Sequence, residues 1–147
     1  MAEGDFLKPT TLEKIFNGAF GLIVRFGGGL KYNYELEVRG RKSGKVFRTP
    51  VNLLEFKGKR FLIGTRGETQ WARNARAAGE IVLRKGSERM AFKLRELDNA
   101  EKPEILKEFL LRFAKTVQRY YVARSGAAAA EFGQDAVKMP VFELIAP

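Results

Sequence analysis

The sequence contains no cysteine and no histidine among its 147 residues. Without cysteine the chain can form no disulfide bond and no thiolate metal site, and it has no thiol nucleophile. Without histidine it lacks the most common general base and the most common metal ligand, which excludes Ser-His-Asp hydrolysis and His-based zinc chemistry. Any enzymatic chemistry must therefore come from a cofactor or from Tyr, Lys, Asp, Glu or Ser side chains, and we predict no metal site.

Long apolar runs are also missing. None reaches the roughly 20 residues that a membrane-spanning helix needs, and the start MAEGDFLKP lacks the basic-then-apolar layout of a secretory signal. We therefore expect a soluble, cytoplasmic protein. The length suits one ordinary domain and no linker or repeat is visible, so we predict a single domain over residues 1–147. A net charge of +10 is expected to attract nucleic acid, an anionic membrane or a highly charged small molecule.

Hydrophobic periodicity predicts three helices and about six strands. A wide apolar stripe predicts a helix at about 11–26, and further helices are expected at 70–78 and about 100–124. Alternating or apolar segments between tight turns predict strands at 34–39, 47–56, 60–65, 81–84, 90–97 and 139–145, of which the first three read as a meander. Because the strands are mostly adjacent in sequence, the pattern favours an α+β fold in which an antiparallel, barrel-like sheet at about 34–147 carries helices outside.

The strongest candidate for a ligand site is the turn between the first two predicted strands, with the sequence GRKSGK at 40–45. Five cations lie within residues 39–48, around a turn that two glycines keep open. Backbone N–H groups, Arg side chains and a Ser hydroxyl can together hold an anion there. The turn is not a Walker A loop, because Val46 stands where a Ser or Thr would bind magnesium. The alternative interpretation of the turn alone is an ordinary solvated basic hairpin.

Two other segments hold candidate residues. Residues 66–74 join a strand to the start of a helix, where backbone donors favour anions. Trp71 could stack on a flat ring there, although a core position explains a lone tryptophan better. Tyr120 and Tyr121, near the end of the long helix, are the candidates for a proton-donating phenol, although such a pair is more often one packed and one surface ring.

These segments together resemble the deazaflavin-dependent nitroreductase family. The resemblance is carried by GRKSGK at 40–45, RTP at 48–50, the KGK turn at 57–59 and IGTRGETQWARNARAAGE at 63–80, with MPVFELIAP at 139–147 similar to the last strand of the family. It implies a split β-barrel that binds coenzyme F-420, a deazaflavin with a phosphate and an oligoglutamate tail. It also implies hydride transfer from the reduced coenzyme to a small conjugated acceptor such as a quinone, an enone or a nitroaromatic. FMN, another phosphorylated tricyclic ring, is the less favoured cofactor.

The resemblance also assigns binding residues. It implies that the turn grips the phosphate and tail, that the next strand runs along the ring, and that the loop and helix after 63 line the other side. The residues concerned are Arg41, Lys42, Ser43, Arg48, Thr49, Pro50, Val51, Asn52, Gly64, Thr65, Arg66, Gly67, Trp71 and Asn74. The chain departs from the family at Phe47, where an Arg is common, and it lacks a Tyr between the last helix and the last strand. The catalytic residues are therefore unknown.

Three alternatives remain open from the sequence. The apolar segment 11–26 suits a lipid- or fatty-acid-binding protein on the same fold, peripheral at the inner membrane face. An FMN-binding split barrel is a second alternative. Nucleic-acid binding rests on charge alone, and we disfavour it because no basic strand face carries a stacking platform of aromatic residues. Split barrels often pair, so a homodimer is expected by analogy only.

Overall fold

The computed structural model describes residues 32–147, and the helix predicted at about 11–26 lies outside the described residues. The described part contains seven strands and three α-helices. In chain order they are β1 (Asn33–Arg39), β2 (Val46–Asn52), β3 (Leu54–Phe56), β4 (Lys59–Ile63), α1 (Gln70–Ala78), β5 (Glu80–Lys85), β6 (Glu88–Glu96), α2 (Lys102–Val117), α3 (Gly133–Lys138) and β7 (Val141–Ile145).

All seven strands form one antiparallel sheet in the order β2-β1-β5-β6-β7-β4-β3. The two outermost strands, β2 and β3, are separated in sequence only by Leu53. A flat sheet could not place consecutive strands at its two ends, so the sheet curls into a half-barrel. This confirms the predicted α+β split barrel. The predicted meander is wrong, because the segment 47–56 breaks at Leu53 and β4 pairs with β3 and β7 rather than with β2.

Each face of the curled sheet buries its own hydrophobic cluster. Alternation along β4 divides the strand between them, since Leu62 joins one cluster while Phe61 and Ile63 join the other. The first cluster packs against α1 through Ala72 and Ala75, which are fully buried. Small side chains at these positions let the helix approach the sheet closely. The second cluster lies beneath α2 and α3.

The long helix differs from its prediction at both ends. It ends at Val117 rather than near 124, contains a non-helical residue at Phe113 (φ −121°), and continues as a 3₁₀ turn over Gln118–Tyr120. Its first helical residue is Lys102 rather than a residue near 100, and its N-cap is Glu101. In the turn before it, Asp98 Oδ1 accepts hydrogen bonds from the main-chain N–H groups of Ala100 and Glu101, while Glu101 Oε1 accepts from Asp98 N at 3.1 Å. This reciprocal pair has the hydrogen-bond pattern of a capping box.

No helix among residues 32–147 is both long enough and apolar enough to cross a membrane.

Candidate functional site

A cavity of about 640 Å³ opens between β2, the turn at 40–45 and the first turn of α1. Within the part of the chain that the structure describes, every residue assigned to binding from the sequence lines this cavity, except Gly67. Those that line it are Arg41, Lys42, Ser43, Arg48, Thr49, Pro50, Val51, Asn52, Gly64, Thr65, Arg66, Trp71 and Asn74. The fold therefore brings four segments to one site: the turn at 40–45, β2, the loop after β4, and α1.

The basic turn has a defined backbone geometry. Gly40 N donates to Lys45 O at 2.7 Å, and Gly44 N donates to Gly40 O at 3.0 Å. Gly44 has φ +73°, in the left-handed region that glycine adopts without strain. Two side chains support the turn, since Arg39 Nη1 donates to Gly44 O at 2.8 Å and Ser43 Oγ accepts from Lys45 N at 3.2 Å. These bonds hold the turn open rather than collapsed.

Arg41 is tied to helix α1. Its main-chain N and its Nη1 both donate to Asn74 Oδ1, at 3.1 and 2.7 Å. Nη1 also donates to Gln70 Oε1 at 3.1 Å. Because Gln70 and Asn74 are four residues apart, they lie on one face of the helix. The turn and the helix are therefore held together at the mouth of the cavity by this one arginine.

Lys42 and Lys45 carry charge that no carboxylate among residues 32–147 neutralises. Both side chains are exposed, and neither forms an ion pair within 4.0 Å or a side-chain hydrogen bond with another described residue. Elsewhere in the described part, cations such as Arg76, Arg89 and Arg95 are paired with glutamates. The positive potential of the turn is therefore available to an external anion.

Arg48 also lines the cavity, but buried carboxylates share its charge. The sequence pattern placed Glu35 and Glu37 on the polar side of β1, yet they are only 5% and 6% exposed. Arg48 Nε lies 3.9 Å from Glu35 Oε1, and its Nη2 lies 3.9 Å from Glu37 Oε2. Arg89 Nη2 donates to the latter oxygen at 3.1 Å. Arg48 is thus a weaker source of positive potential for a ligand than its position in the sequence suggests.

The opposite wall is the loop between β4 and α1. Gly64 N donates to Pro140 O at 2.8 Å, and an added Cβ at Gly64 would lie 2.8 Å from Pro140 Cγ. Gly67, with φ +90°, donates its N–H to Gly64 O at 2.9 Å. The loop therefore packs directly on the start of β7, and only glycine fits at Gly64 without displacing the proline ring.

The loop ends at Thr69. This residue occupies the N-cap position of α1, but its hydroxyl makes no cap hydrogen bond. Its Oγ1 is buried without a hydrogen-bond partner among the described residues, and the residue lines the cavity. The start of α1 thus holds a buried hydroxyl that the helix does not use as a cap.

An ion-pair network fixes the far side of this loop. Arg76 donates to Glu68 from Nη1 at 2.5 Å and from Nη2 at 2.7 Å, and it also donates to Glu96 from Nε at 2.7 Å. The hydrogen bond from Arg76 lowers the pKa of the Glu68 carboxyl, and the two glutamates raise the pKa of Arg76. The network ties the loop and α1 to β6.

Trp71 lies between the core and the cavity. Its ring packs 6.1 Å from that of Phe142, at an interplanar angle of 55°, beside the cluster under α1. The residue is only partly buried and also lines the cavity. Trp71 is therefore a wall of the cavity that the core holds in place.

Tyr120 and Tyr121 are not among the residues that line the cavity. Tyr121 is 8% exposed, and its hydroxyl donates to Leu106 O at 3.1 Å. Burial raises the pKa of its phenol. Tyr120 lies beside Arg119, whose guanidinium carbon is 4.8 Å from the ring centroid. The assignment of a tyrosine as proton donor stays a prediction.

Several lining residues were not assigned from the sequence. Val38, Ile63, Phe109 and Val117 give the cavity an apolar floor, and Gly40, Phe47, Thr69 and Gln70 contribute to its mouth. The i, i+4 spacing of Gln70 and Asn74 was a signal for the helix face. The floor residues carried no signal beyond their periodicity, because a core residue and a cavity-lining residue look alike in sequence.

Comparison with known proteins identifies the family. The family model described as F420H(2)-dependent quinone reductase matches residues 21–127. The chain belongs to this family. The match confirms the resemblance seen in the sequence, since coenzyme F-420 is the deazaflavin to which both family descriptions refer.

Solved structures agree on the fold. One, described as an F420-H2 dependent reductase (FDR-A), is 20% identical, with a TM-score of 0.53, covering 78% of this chain and 94% of that one. Another, described as a domain-swapped dimer, is 18% identical, with a TM-score of 0.54, covering 90% and 96%. At these identities the likeness shows the fold alone. No curated protein matches the chain by sequence.

Proposed function

We propose that this chain binds reduced coenzyme F-420 in the 640 Å³ cavity and supports hydride transfer to a small conjugated acceptor such as a quinone. One observation carries the proposal above the others. A turn beside the cavity carries two lysines and an arginine. Within the described part of the chain the lysines have no carboxylate partner and the arginine has unused donors, and the cavity is walled by an edge strand and a tryptophan. A coenzyme with a phosphate, several carboxylates and a flat ring needs both features: cations for its charged part and a cavity for its ring.

The donors present fit the charged part of the coenzyme. Arg41, Lys42 and Ser43 would contact the phosphate and tail, because guanidinium and ammonium groups form the strongest hydrogen bonds with such anions. Ser43 Oγ accepts from Lys45 N, which leaves its hydroxyl proton free to donate. Arg48 contributes less, since it is shared with Glu35 and Glu37.

The edge strand and the loop would hold the ring. Thr49–Asn52 and Gly64–Arg66 lie on separate walls of the cavity, with Trp71 and Asn74 between them. Gly67 does not line the cavity and would act by shaping the loop. When bound, the coenzyme supplies a hydride, and the protein has to orient the ring and the acceptor and exclude water.

No Tyr, Asp or Glu lines the cavity within the described part of the chain. Reduction of a quinone also requires a proton. We propose that water delivers it, because no carboxyl or phenol group among the described residues lines the cavity.

The test is a titration of coenzyme F-420 followed by the fluorescence of Trp71. We expect the Arg41→Ala, Lys42→Ala double variant to bind about 100-fold more weakly, since a charge-assisted hydrogen bond contributes about 1.5 to 3 kcal/mol. The same double substitution should weaken the binding of FMN less, because FMN has a single phosphate and no carboxylate tail. The matched control is the Lys115→Ala, Arg124→Ala double variant, which removes the same two charges from exposed positions outside the cavity.

Equal affinity of the wild-type protein and the turn variant would remove the role proposed for the turn. A wild-type protein that binds neither coenzyme at low ionic strength would refute the proposed function as a whole. The lipid-binding alternative depends on residues 11–26, outside the described residues, and it stays a prediction, as does the assembly of two copies.

A further inference from the structure

Asn74 is a buried polar residue whose side-chain oxygen accepts two hydrogen bonds from Arg41. It is 4% exposed, and its Oδ1 accepts from both the main-chain N and the Nη1 of Arg41, at 3.1 and 2.7 Å. One bond fixes the position of the backbone and the other fixes the side chain. Two accepted hydrogen bonds use both lone pairs of an amide oxygen.

The same contacts leave a defined part of Arg41 free. Nη1 carries two N–H groups, and they serve Asn74 Oδ1 and Gln70 Oε1. The other three guanidinium donors, on Nε and Nη2, have no partner among the described residues. The Nε–Nη2 edge is one that an arginine offers to a carboxylate or phosphate in a bidentate pair.

We infer that Asn74 is a positioning residue that promotes anion binding through Arg41 rather than by touching the anion. The inference rests on the proposed function, in which Arg41 meets the charged part of the coenzyme. An unrestrained arginine loses rotamer freedom when it binds, whereas one already held by Asn74 and Gln70 loses little. Asn74 therefore increases affinity for the charged part of the coenzyme without contacting the anion itself.

A double-mutant cycle separates an indirect role from a direct one. We expect Asn74→Leu to weaken binding of F-420 about 10-fold and Arg41→Ala about 30-fold, the range of one charge-assisted hydrogen bond. If Asn74 acts only through the side chain of Arg41, the double variant binds as weakly as Arg41→Ala alone. Multiplicative losses in the double variant would overturn the inference.

Amide hydrogen exchange gives a readout that needs no ligand. The Arg41 N–H donates to Asn74 Oδ1, whereas the neighbouring N–H of Lys42 has no hydrogen-bond acceptor among residues 32–147. We expect slow exchange of the Arg41 amide in the wild-type protein and in Asn74→Asp, which keeps an acceptor, and exchange about 10-fold or more faster in Asn74→Leu. Fast exchange in the wild-type protein would contradict the contact on which the inference depends.

Two additions keep the inference distinct from the proposed function. Inorganic pyrophosphate, followed by its effect on the Arg41 and Lys42 amide signals, repeats the cycle without a redox ring. Failure of F-420 binding would then refute the proposed function, while the pyrophosphate cycle still decides between an indirect and a direct role. Absence of binding by both would overturn the inference as well. Phe132→Leu, a fully buried residue outside the cavity, lowers Tm without changing affinity and controls for general destabilisation.

Discussion

Gly40 and Phe47 are in closer contact than an alanine at position 40 would allow. An added Cβ would lie 2.5 Å from Phe47 Cε2 and 3.2 Å from Lys45 O, whereas carbon atoms in contact are normally about 3.5–4.0 Å apart. The φ angle of Gly40 is not in the left-handed region, so the backbone itself tolerates alanine. The effect of Gly40→Ala therefore comes from the ring, which must move by about 1 Å.

The size of the effect follows from the exposure of that ring. Phe47 is 51% exposed, so it can swing toward solvent, and the cost falls at the low end of the roughly 1–3 kcal/mol typical of overpacking. Replacing glycine by alanine also restricts the unfolded chain, which offsets about 0.4–1 kcal/mol. We expect Gly40→Ala to destabilise the protein by about 1 kcal/mol.

Urea denaturation of four proteins tests this reasoning: wild type, Gly40→Ala, Phe47→Ala and the double variant. In the Phe47→Ala background the clash is gone, and Gly40→Ala should be neutral or stabilise by about 0.5 kcal/mol. The coupling free energy is then about 1 to 1.5 kcal/mol, above the roughly 0.5 kcal/mol by which independent sites deviate from additivity. If Gly40→Ala changes the free energy of unfolding equally, to within about 0.5 kcal/mol, in the wild-type and Phe47→Ala backgrounds, the proposed contact is refuted.

Gly133 provides the matched control. An added Cβ there meets nothing within 4 Å, and the residue already has helical angles, with φ −61°. Gly133→Ala should stabilise the protein by up to about 1 kcal/mol in both backgrounds. Because Phe47 lines the cavity and Gly133 does not, only Gly40→Ala should also change the affinity for a ligand.

Three further variants test other contacts. Tyr121→Phe removes one buried hydrogen bond and should cost about 1 kcal/mol in urea denaturation. The proposed reductase activity should not change; a tenfold loss of kcat would instead support a catalytic phenol. Arg76→Met should cost about 1 kcal/mol at pH 7. Since the pKa of Glu68 is lowered in the folded state, its contribution is present above the ordinary value of 4.5 and is lost as pH falls through the folded value, so the difference between wild type and Arg76→Met should shrink below pH 4.5; a constant difference down to pH 3 would contradict this. Gly64→Ala places a methyl group 2.8 Å from Pro140 Cγ and should cost about 1–3 kcal/mol and weaken ligand binding; an unchanged Tm would show that the loop yields.

Most of the helices and strands were predictable from sequence because their apolar residues recur at a regular helical or strand spacing. The alternation in β1 and the apolar stripe of α2 identified both elements, and Gly79 marked the end of α1 as a left-handed cap. The break at Leu53 was not predictable, since the residue is apolar and carries no turn signal. Helix α3 was missed because its six residues are too few to establish a helical period.

The site was predictable as a set of segments but not as a network. Charge and glycine spacing identified the turn, and the resemblance assigned the strand and loop, all of which the fold brings to one cavity. The sequence could not show that Arg48 is shared with the buried Glu35 and Glu37, because polar alternation says which side of a strand a residue faces and not what covers that side. Nor could it show that Arg41 and Asn74 meet, since they are 33 positions apart.

Strand β7 is the last of the seven to be synthesised, yet it pairs with β6 on one side and β4 on the other. Until it inserts, the chain can form β2-β1-β5-β6 and β4-β3 only as separate pieces. The edge strand that walls the cavity belongs to one piece, and Gly64, which follows β4 and packs on Pro140, belongs to the other. Binding competence should thus arise in a single late folding step, slow because it closes contacts distant in sequence, and ligand capture during refolding would time that step.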